Sequence, residues 1–408
     1  MIHNRVLAII MLLSIIVLPG CWDKRELTDL AIISAIGIDR TNEGNYVLHF
    51  QIINPGNVAG GLQGGGAGDR PPVSVYSIEG DNMTEALRKA SMKVSRRLYF
   101  AHTNLIVISE KLAKEEGLDF VLDNLDRDTE FRTTATVVIA HKTKAENIVK
   151  TLTPIDKIPS NKVNKTLDFT QAQYGRVIKT NIQDVIKTLA ASTQAPVIPG
   201  YLMIGDSKKG ISLENTQATD PKAILQANGL AVFDKKGHLK YWIEDDTVSS
   251  GVVWLLNEIE HTFINADWGK TKDAVSLQIT HQDTKLSPEM RNGRPRIHVH
   301  VTVEGIIDAV KYPFQLSDPK VLAGIEKALN KELEDEISRT VKTIKKNKVD
   351  FIGFGETIFR KYPKQWEKMK DTWDKEYLPE LPVDVKAEIY IRRTGLRNNP
   401  IRHQLGHE

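Results

Sequence analysis

Residues 73–140 read VSVYSIEGDNMTEALRKASMKVSRRLYFAHTNLIVISEKLAKEEGLDFVLDNLDRDTEFRTTATVVIA. Three apolar runs in it, Val73–Ile78, Leu105–Ile108 and Thr134–Ala140, have the length and composition of strands. Between them, Met83, Leu87, Ala90 and Val94 fall at three- and four-residue steps, which predicts a helix over Thr84–Leu98. Lys111–Leu125 predicts a second helix. Strand and helix alternate, and that alternation requires a sheet packed with helices.

Upstream, Ala31–Asp39 and Tyr46–Ile53 read as strands joined by the turn Asn42–Asn45. The stretch 56–72 is glycine-rich and then proline-rich, with little apolar anchoring, and predicts a flexible loop. Downstream, helices are expected near Ala145–Leu152 and Ile182–Ala191, and a strand near Val197–Ile204. Together these define an N-terminal α/β domain over 21–206. The polar stretch 207–221 reads as a linker. A small middle domain, 222–265, is expected to hold a hairpin, Ala223–Phe233 and His238–Trp242 across Asp234–Gly237, and a helix over Thr247–Glu258.

The third unit, 266–400, contains strands at Val275–Thr280 and Arg296–Val303, with a polar stretch between them. Asp318 is placed to cap a helix that Pro319 begins. Leu322, Ile325, Leu329, Leu333, Ile337, Val341 and Ile344 then form one apolar stripe. A further helix from Pro363 carries Trp366, Met369 and Trp373, and Val383–Ile391 closes the unit as a strand. The expected fold class is α+β (mixed α/β), in three domains of mixed or antiparallel sheet packed with helices.

The 408 residues carry 55 basic and 52 acidic side chains, a net charge of +3, so charge gives no case for a nucleic-acid partner. One cysteine, Cys21, leaves no internal disulfide and no multi-cysteine metal site. Its position is informative. Arg5 precedes an apolar run, Val6–Leu18, which is roughly 20 Å long as a helix and too short for a ~30 Å hydrocarbon core. Leu18-Pro19-Gly20-Cys21 then looks like a lipobox, with a nucleophilic thiol and a small residue at the scissile bond. Residues 1–20 are therefore expected to be a lipoprotein signal peptide, with a diacylglyceryl group on Cys21. Pro19 departs from the small residue usual at its position. Removing the leader takes away Arg5 alone and leaves a net charge of +2.

Catalytic and cofactor motifs fail on inspection. The glycine run 60–68 lacks the Gly-Lys-Ser/Thr ending of a phosphate loop. His298 and His300 share a strand face but have no third metal ligand nearby in sequence. Ser317-Asp318-Pro319-Lys320 matches a bare Ser-x-x-Lys without its companion elements, and its residues suit a helix start. No catalytic residue, cofactor or metal is assigned.

Cys21-Trp22-Asp23-Lys24-Arg25-Glu26-Leu27 resembles the start of the spore germination receptor C-subunit lipoproteins, the Ger(x)C family. The resemblance continues through Ala35–Asp39, Arg96–Thr103, Gly229–Phe233, Asp350–Gly355 with Tyr362, Pro363, Trp366 and Trp373, and Ile391–Gly395. It implies a non-enzymatic subunit of a nutrient germinant receptor, lipid-anchored on the outer face of the cell or inner spore membrane. The implied partners are two integral-membrane subunits, one A-type and one transporter-like. Trp22, Asp23, Arg25, Arg96, Arg97 and His102 are the candidate interaction or structural residues. Arg96, Arg97 and His102 are read either as a polar structural network or as part of a docking surface. The competing reading is a solute-binding lipoprotein of an importer, which shares the anchor but usually has two similar lobes.

Overall fold

A computed structural model describes residues 26–59, 70–127, 129–191 and 193–394. Its strands form two sheets, packed with helices.

The first sheet is organised by its most apolar strands. Every residue of β5 (Leu105–Ser109) and β6 (Thr136–Ala140) is buried, as a strand covered on both faces requires. They lie parallel to each other, with β1 (Leu30–Arg40) beside β5 and β7 (Val197–Gly205) beside β6, also parallel. Antiparallel strands extend both sides: β2 (Tyr46–Ile53) and β3 (Val73–Gly80) next to β1, and β8 (Ala223–Phe233) and β9 (Leu239–Ile243) next to β7. A three-residue strand, β4 (Arg97–Tyr99), pairs in parallel with the first residues of β1. Alternate residues supply two cores. Ile36, Ile38, Ile106, Ile108, Val137 and Ile139 pack on one face, and Ala35, Leu105, Val107, Val138 and Ala140 on the other.

Helices α1 (Met83–Lys89), α2 (Glu110–Glu115), α3 (Asp119–Asp126), α4 (Ala145–Lys150), α5 (Pro159–Tyr174) and α6 (Ile182–Ala191) flank this sheet. The 16-residue α5 is not among the expected helices, and two expected helices are cut short. The helix expected over Thr84–Leu98 ends at Lys89, passes through a 3-10 turn, and gives way to β4, because the start of β1 takes Arg97–Tyr99 as its partner. The helix expected over Lys111–Leu125 breaks at Gly117, at φ +89°, where Leu118 N–H donates to Gly237 O at 2.9 Å.

The second sheet runs β10 (Phe263–Trp268), β11 (Thr271–Arg291), β12 (Arg294–Val310), β13 (Val383–Arg393). The polar stretch expected to separate two short strands is itself strand. Asn292 and Gly293, at φ +52° and +77°, make a two-residue hairpin turn, and pairing continues to Arg291–Arg294. Pro288 is tolerated because β11 is an edge there, β10 having ended its pairing opposite Gln278.

Helices α7 (Asp246–Leu255), α8 (Pro319–Asn347), α9 (Phe354–Lys361) and α10 (Pro363–Met369) complete this part. The Asp318 carboxylate caps α8 by accepting from Lys320 N–H at 2.8 Å. The stripe Ile325, Leu329, Leu333, Ile337 and Ile344 is buried against Val299, Val301, Val303 and Ile389. Trp366, Met369 and Trp373 are buried too, although α10 ends at Met369.

Another face of α8 closes the outer edge of β13. Glu326 Oε1, Asn330 Oδ1 and Glu334 Oε1 accept from the N–H groups of Ile391, Ile389 and Ala387 at 2.9, 2.7 and 3.0 Å. Four helical residues advance about 6.0 Å and two strand residues about 6.6 Å, so the two series stay in step.

The middle segment does not stand apart. Of the residues assigned to a small domain at 222–265, β8 and β9 join the first sheet, α7 packs on α8, and Phe263 already begins β10. A two-stranded hairpin is marginal alone and must complete a larger sheet. Residues 207–221, expected as a linker, connect two adjacent antiparallel strands through two short helical turns.

Candidate functional site

The described chain begins at Glu26, so Cys21, Trp22, Asp23 and Arg25 lie outside the described residues. A 3-10 turn, Leu27–Asp29, leads directly into β1. Leu30 is nine residues after Cys21, an extended reach of at most about 30 Å. Chain length alone therefore keeps the thiol within about 30 Å of the start of β1.

Arg96 and Arg97 border it. In the register of β4 on β1, Arg97 is opposite Leu30 and Tyr99 opposite Ile32. The exposed Arg97 guanidinium pairs with Glu130 at 2.6 Å. Arg96 is exposed and has no carboxylate partner among the described residues. It lines a cleft of about 300 Å³ with Ala31, Ile53, Ser74 and Tyr76. His102 is exposed and meets Tyr99 edge-on, ring centroids 5.7 Å apart. The three residues share one end of the sheet but make no bonds to one another.

The segment Ala35–Asp39 has a structural task that its sequence did not reveal. Asp39 ends the buried part of β1 and accepts from Ala145 N–H and Glu146 N–H, at 3.1 and 2.9 Å. It thus caps α4 from another element, which Lys144 at the cap position does not do. Burial works to raise the Asp39 carboxyl, but hydrogen bonds from His49 and the two N–H groups outweigh it and hold the group below its ordinary value. His49, itself buried, lies 3.0 Å from Asp39 through Nε2 and 2.8 Å from Ser77 Oγ through Nδ1. At Gly37 an added Cβ would come within 3.3 Å of the Ala145 backbone, a tight contact, so glycine there lets α4 sit this close without displacement.

Asp350 performs the comparable task between the two sheets. It is fully buried, with Oδ1 accepting from Gly353 and Phe354 N–H at 2.9 and 3.1 Å. Oδ2 accepts from Gly355 N–H and Trp373 Nε1–H at 2.7 and 3.0 Å. Burial raises this carboxyl above the ordinary range, and the four donors oppose the shift. Its carbonyl binds Ala195 N–H at 2.8 Å, while Gln194 Nε2 donates to Phe351 O and Thr193 Oγ1 to Glu356. The turn after β12 and α8 is thereby fastened to the segment before β7.

A cleft of about 650 Å³ lies between α5, the starts of β5 and β6, and Glu260. Most of its polar groups are already engaged: Thr136 Oγ1 with Asn164, Lys179 with Asp168, and Gln171 with Glu258 and Lys179 N–H. His298 and His300 project from β12 beside carboxylates, His298 between Glu289 and Asp384 at 2.9 and 3.4 Å, and His300 3.6 Å from Glu388. No group of three metal-ligating side chains occurs among the described residues. No helix among them is long and apolar enough to cross a membrane.

Two family models cover most of the chain. Residues 23–201 match the spore germination protein N-terminal domain, and residues 228–395 match the spore germination B3/GerAC-like C-terminal domain. The chain belongs to the Ger(x)C spore germination family. It is 86% identical over 404 residues to spore germination protein KC of Bacillus subtilis (strain 168), with 99% of each chain covered. Spore germination protein B3 of the same organism is 24% identical, over 94% of this chain and 96% of its own. The crystal structure of the GerBC protein shares the fold at a TM-score of 0.55 and 19% identity, covering 88% of this chain and 96% of that one. Three Ger(x)C segments quoted from the sequence now have physical reasons: Gly37 and Asp39 seat α4, Asp350–Gly355 folds around one carboxylate, and Arg97–Tyr99 flanks the start of β1.

Proposed function

We propose that this chain is the lipid-anchored subunit of a spore nutrient germinant receptor. Cys21 carries the diacylglyceryl group after removal of residues 1–20. The folded chain then sits on the outer face of a membrane, the inner spore membrane in dormant spores. It assembles there with an A-type and a transporter-like integral-membrane subunit.

The observation that carries this reading is the coincidence of a lipobox at Leu18–Cys21 with a Ger(x)C match that begins at Asp23. Tethering reduces the search for membrane partners to two dimensions and raises local concentration. The role assigned is structural and non-enzymatic, built on surfaces. Most polar groups of the 650 Å³ cleft are engaged, Asn104 Oδ1 being an exception, which favours that over a solute-binding lipoprotein of an importer, whose site would present several free donors and acceptors.

The test has two arms. Cys21→Ala protein is expected to leave the membrane fraction on high-salt washing, and retention would refute the anchor. Affinity capture from solubilised spore membrane is expected to recover the transporter-like and A-type subunits. Recovery of importer components would overturn the assignment.

A further inference from the structure

The segment Ala86–Ser109 holds five basic residues, Arg88, Lys89, Lys93, Arg96 and Arg97, and no acidic one. Lys89 pairs with Glu85 just outside it and Arg97 with Glu130, which leaves Arg88, Lys93 and Arg96 without a carboxylate partner among the described residues. The fold brings its central loop to a particular place. After α1 and the turn Ala90–Met92, the chain passes through Lys93–Arg96 into β4, whose first residue is opposite Leu30 of β1. The loop thus lies at the end of the first sheet where the described chain begins.

The loop is also amphipathic in its exposed groups. Met92 is 75% exposed, the most exposed methionine among the described residues, while its neighbour Val94 turns into the core. Lys93 and Arg96 have no carboxylate partner among the described residues. Lys93 Nζ donates only to Ser77 O, at 2.9 Å. Arg97 shares Glu130, but an exposed pair of this kind exchanges partners at little cost. An exposed apolar side chain beside two cations without carboxylate partners, Lys93 and Arg96, suits a headgroup layer, where the apolar group meets the acyl boundary and the cations meet phosphates.

We propose that the loop Ser91–Arg97 is the face this protein turns toward an anionic bilayer surface. Met92 reaches into the headgroup layer, and Lys93, Arg96 and Arg97 lie over lipid phosphates. The inference rests on the lipid anchor at Cys21. It adds an orientation: the first sheet stands with the start of β1 and β4 on the membrane, and the bulk of the chain faces away from it.

The acylated full-length protein tests this, since its own Cys21 is blocked and Met92→Cys supplies a single free thiol. A polarity-sensitive fluorophore on that thiol is read in vesicles of phosphatidylcholine with 30% phosphatidylglycerol, and in phosphatidylcholine alone. Asn292→Cys, at the β11–β12 turn, is the control. The expected result is a blue shift and quenching by lipid-borne quencher at position 92 in the anionic vesicles, and neither at 292. Lys93→Glu with Arg96→Glu is expected to lower the lipid-quenched fraction by at least about ten-fold, with unchanged flotation and thermal unfolding. If the protein floats with the vesicles but position 92 stays as water-exposed as 292, the orientation is wrong and the anchor stands. If position 92 is shielded only after the integral-membrane subunits are added, the loop binds protein and the proposal is again wrong. If the acylated protein does not float, both readings fall.

Discussion

Replacing Asp350 by asparagine changes one atom and should damage the joint between the sheets. The carboxylate accepts four hydrogen bonds, two at each oxygen. An asparagine oxygen can keep one pair. Its amide nitrogen then faces two N–H donors, either Gly353 and Phe354 or Gly355 and Trp373. Both sit in a fully buried site, and each unpaired buried donor costs about 1–3 kcal/mol. The gross loss is thus about 2–6 kcal/mol. Against it stands the relief of no longer burying a charge, the cause of the raised carboxyl. A net loss near 3 kcal/mol is expected, a large share of the roughly 5–15 kcal/mol that holds a typical fold.

Trp373→Phe provides the cross-check. It removes one donor and leaves the carboxylate three, so the single change should cost about 1.5 kcal/mol. In that background asparagine can turn its nitrogen toward the missing indole N–H and leave only Gly355 N–H unpaired. The cost of Asp350→Asn should then fall by about 1–3 kcal/mol. Urea unfolding followed by circular dichroism measures all four proteins, compared by midpoint at constant slope. A loss below about 1 kcal/mol for Asp350→Asn, or additive effects in the cycle, would refute the four-donor account.

Asp39 gives a pH prediction. Its carboxyl is held below its unfolded value, so its contribution is present above about pH 4 and lost as acid protonates the folded state. Asp39→Asn should cost about 1 kcal/mol at pH 7 through the weakened cap on α4, and its stability should fall less than wild type between pH 5 and 3. Parallel pH-stability curves would sink the assignment. Gly251 of α7 lies against α8, where an added Cβ would be 2.1 Å from Thr340 Oγ1. Gly251→Ala should lower stability by about 1–3 kcal/mol, and Thr340→Ala should recover part of it, as read by thermal unfolding of the pair.

An element is legible in the sequence where it contains its own physical reason. The cap at Asp318, the stripe from Ile325 to Ile344 and the continuous apolar runs of β5 and β6 are complete within a few turns of chain. Failure came where a distant partner decides. The apolar period at Met83–Val94 favours a helix throughout, but β1 claims Arg97–Tyr99, some 67 positions away. The hairpin β8–β9 was recognised, while its place in the first sheet depends on β7. Asn292-Gly293 was a legible turn signal, hidden by two nearby prolines that an edge strand accepts. The site divides in the same way. Cys21 and the two arginines stood out as residue types, whereas the partnership of Asp39 with the start of α4 spans 106 positions and leaves no local trace.

The closed strand edges bear on the proposed role. A chain held on a bilayer is concentrated in two dimensions, and concentration favours edge-to-edge pairing of exposed strands. Here the outer edge of β13 is occupied at Ala387, Ile389 and Ile391 by side chains of α8. The free stretch of β11 is interrupted at Thr284, whose N–H goes to Asn257, and at Pro288, which has no N–H and whose carbonyl takes Lys361. Both devices are internal, so neither the β13 edge nor the free stretch of β11 needs a partner to keep it from pairing with a copy of this chain. On the proposed assembly, these two stretches leave little free backbone for strand addition, so recognition there would fall to side chains and loops.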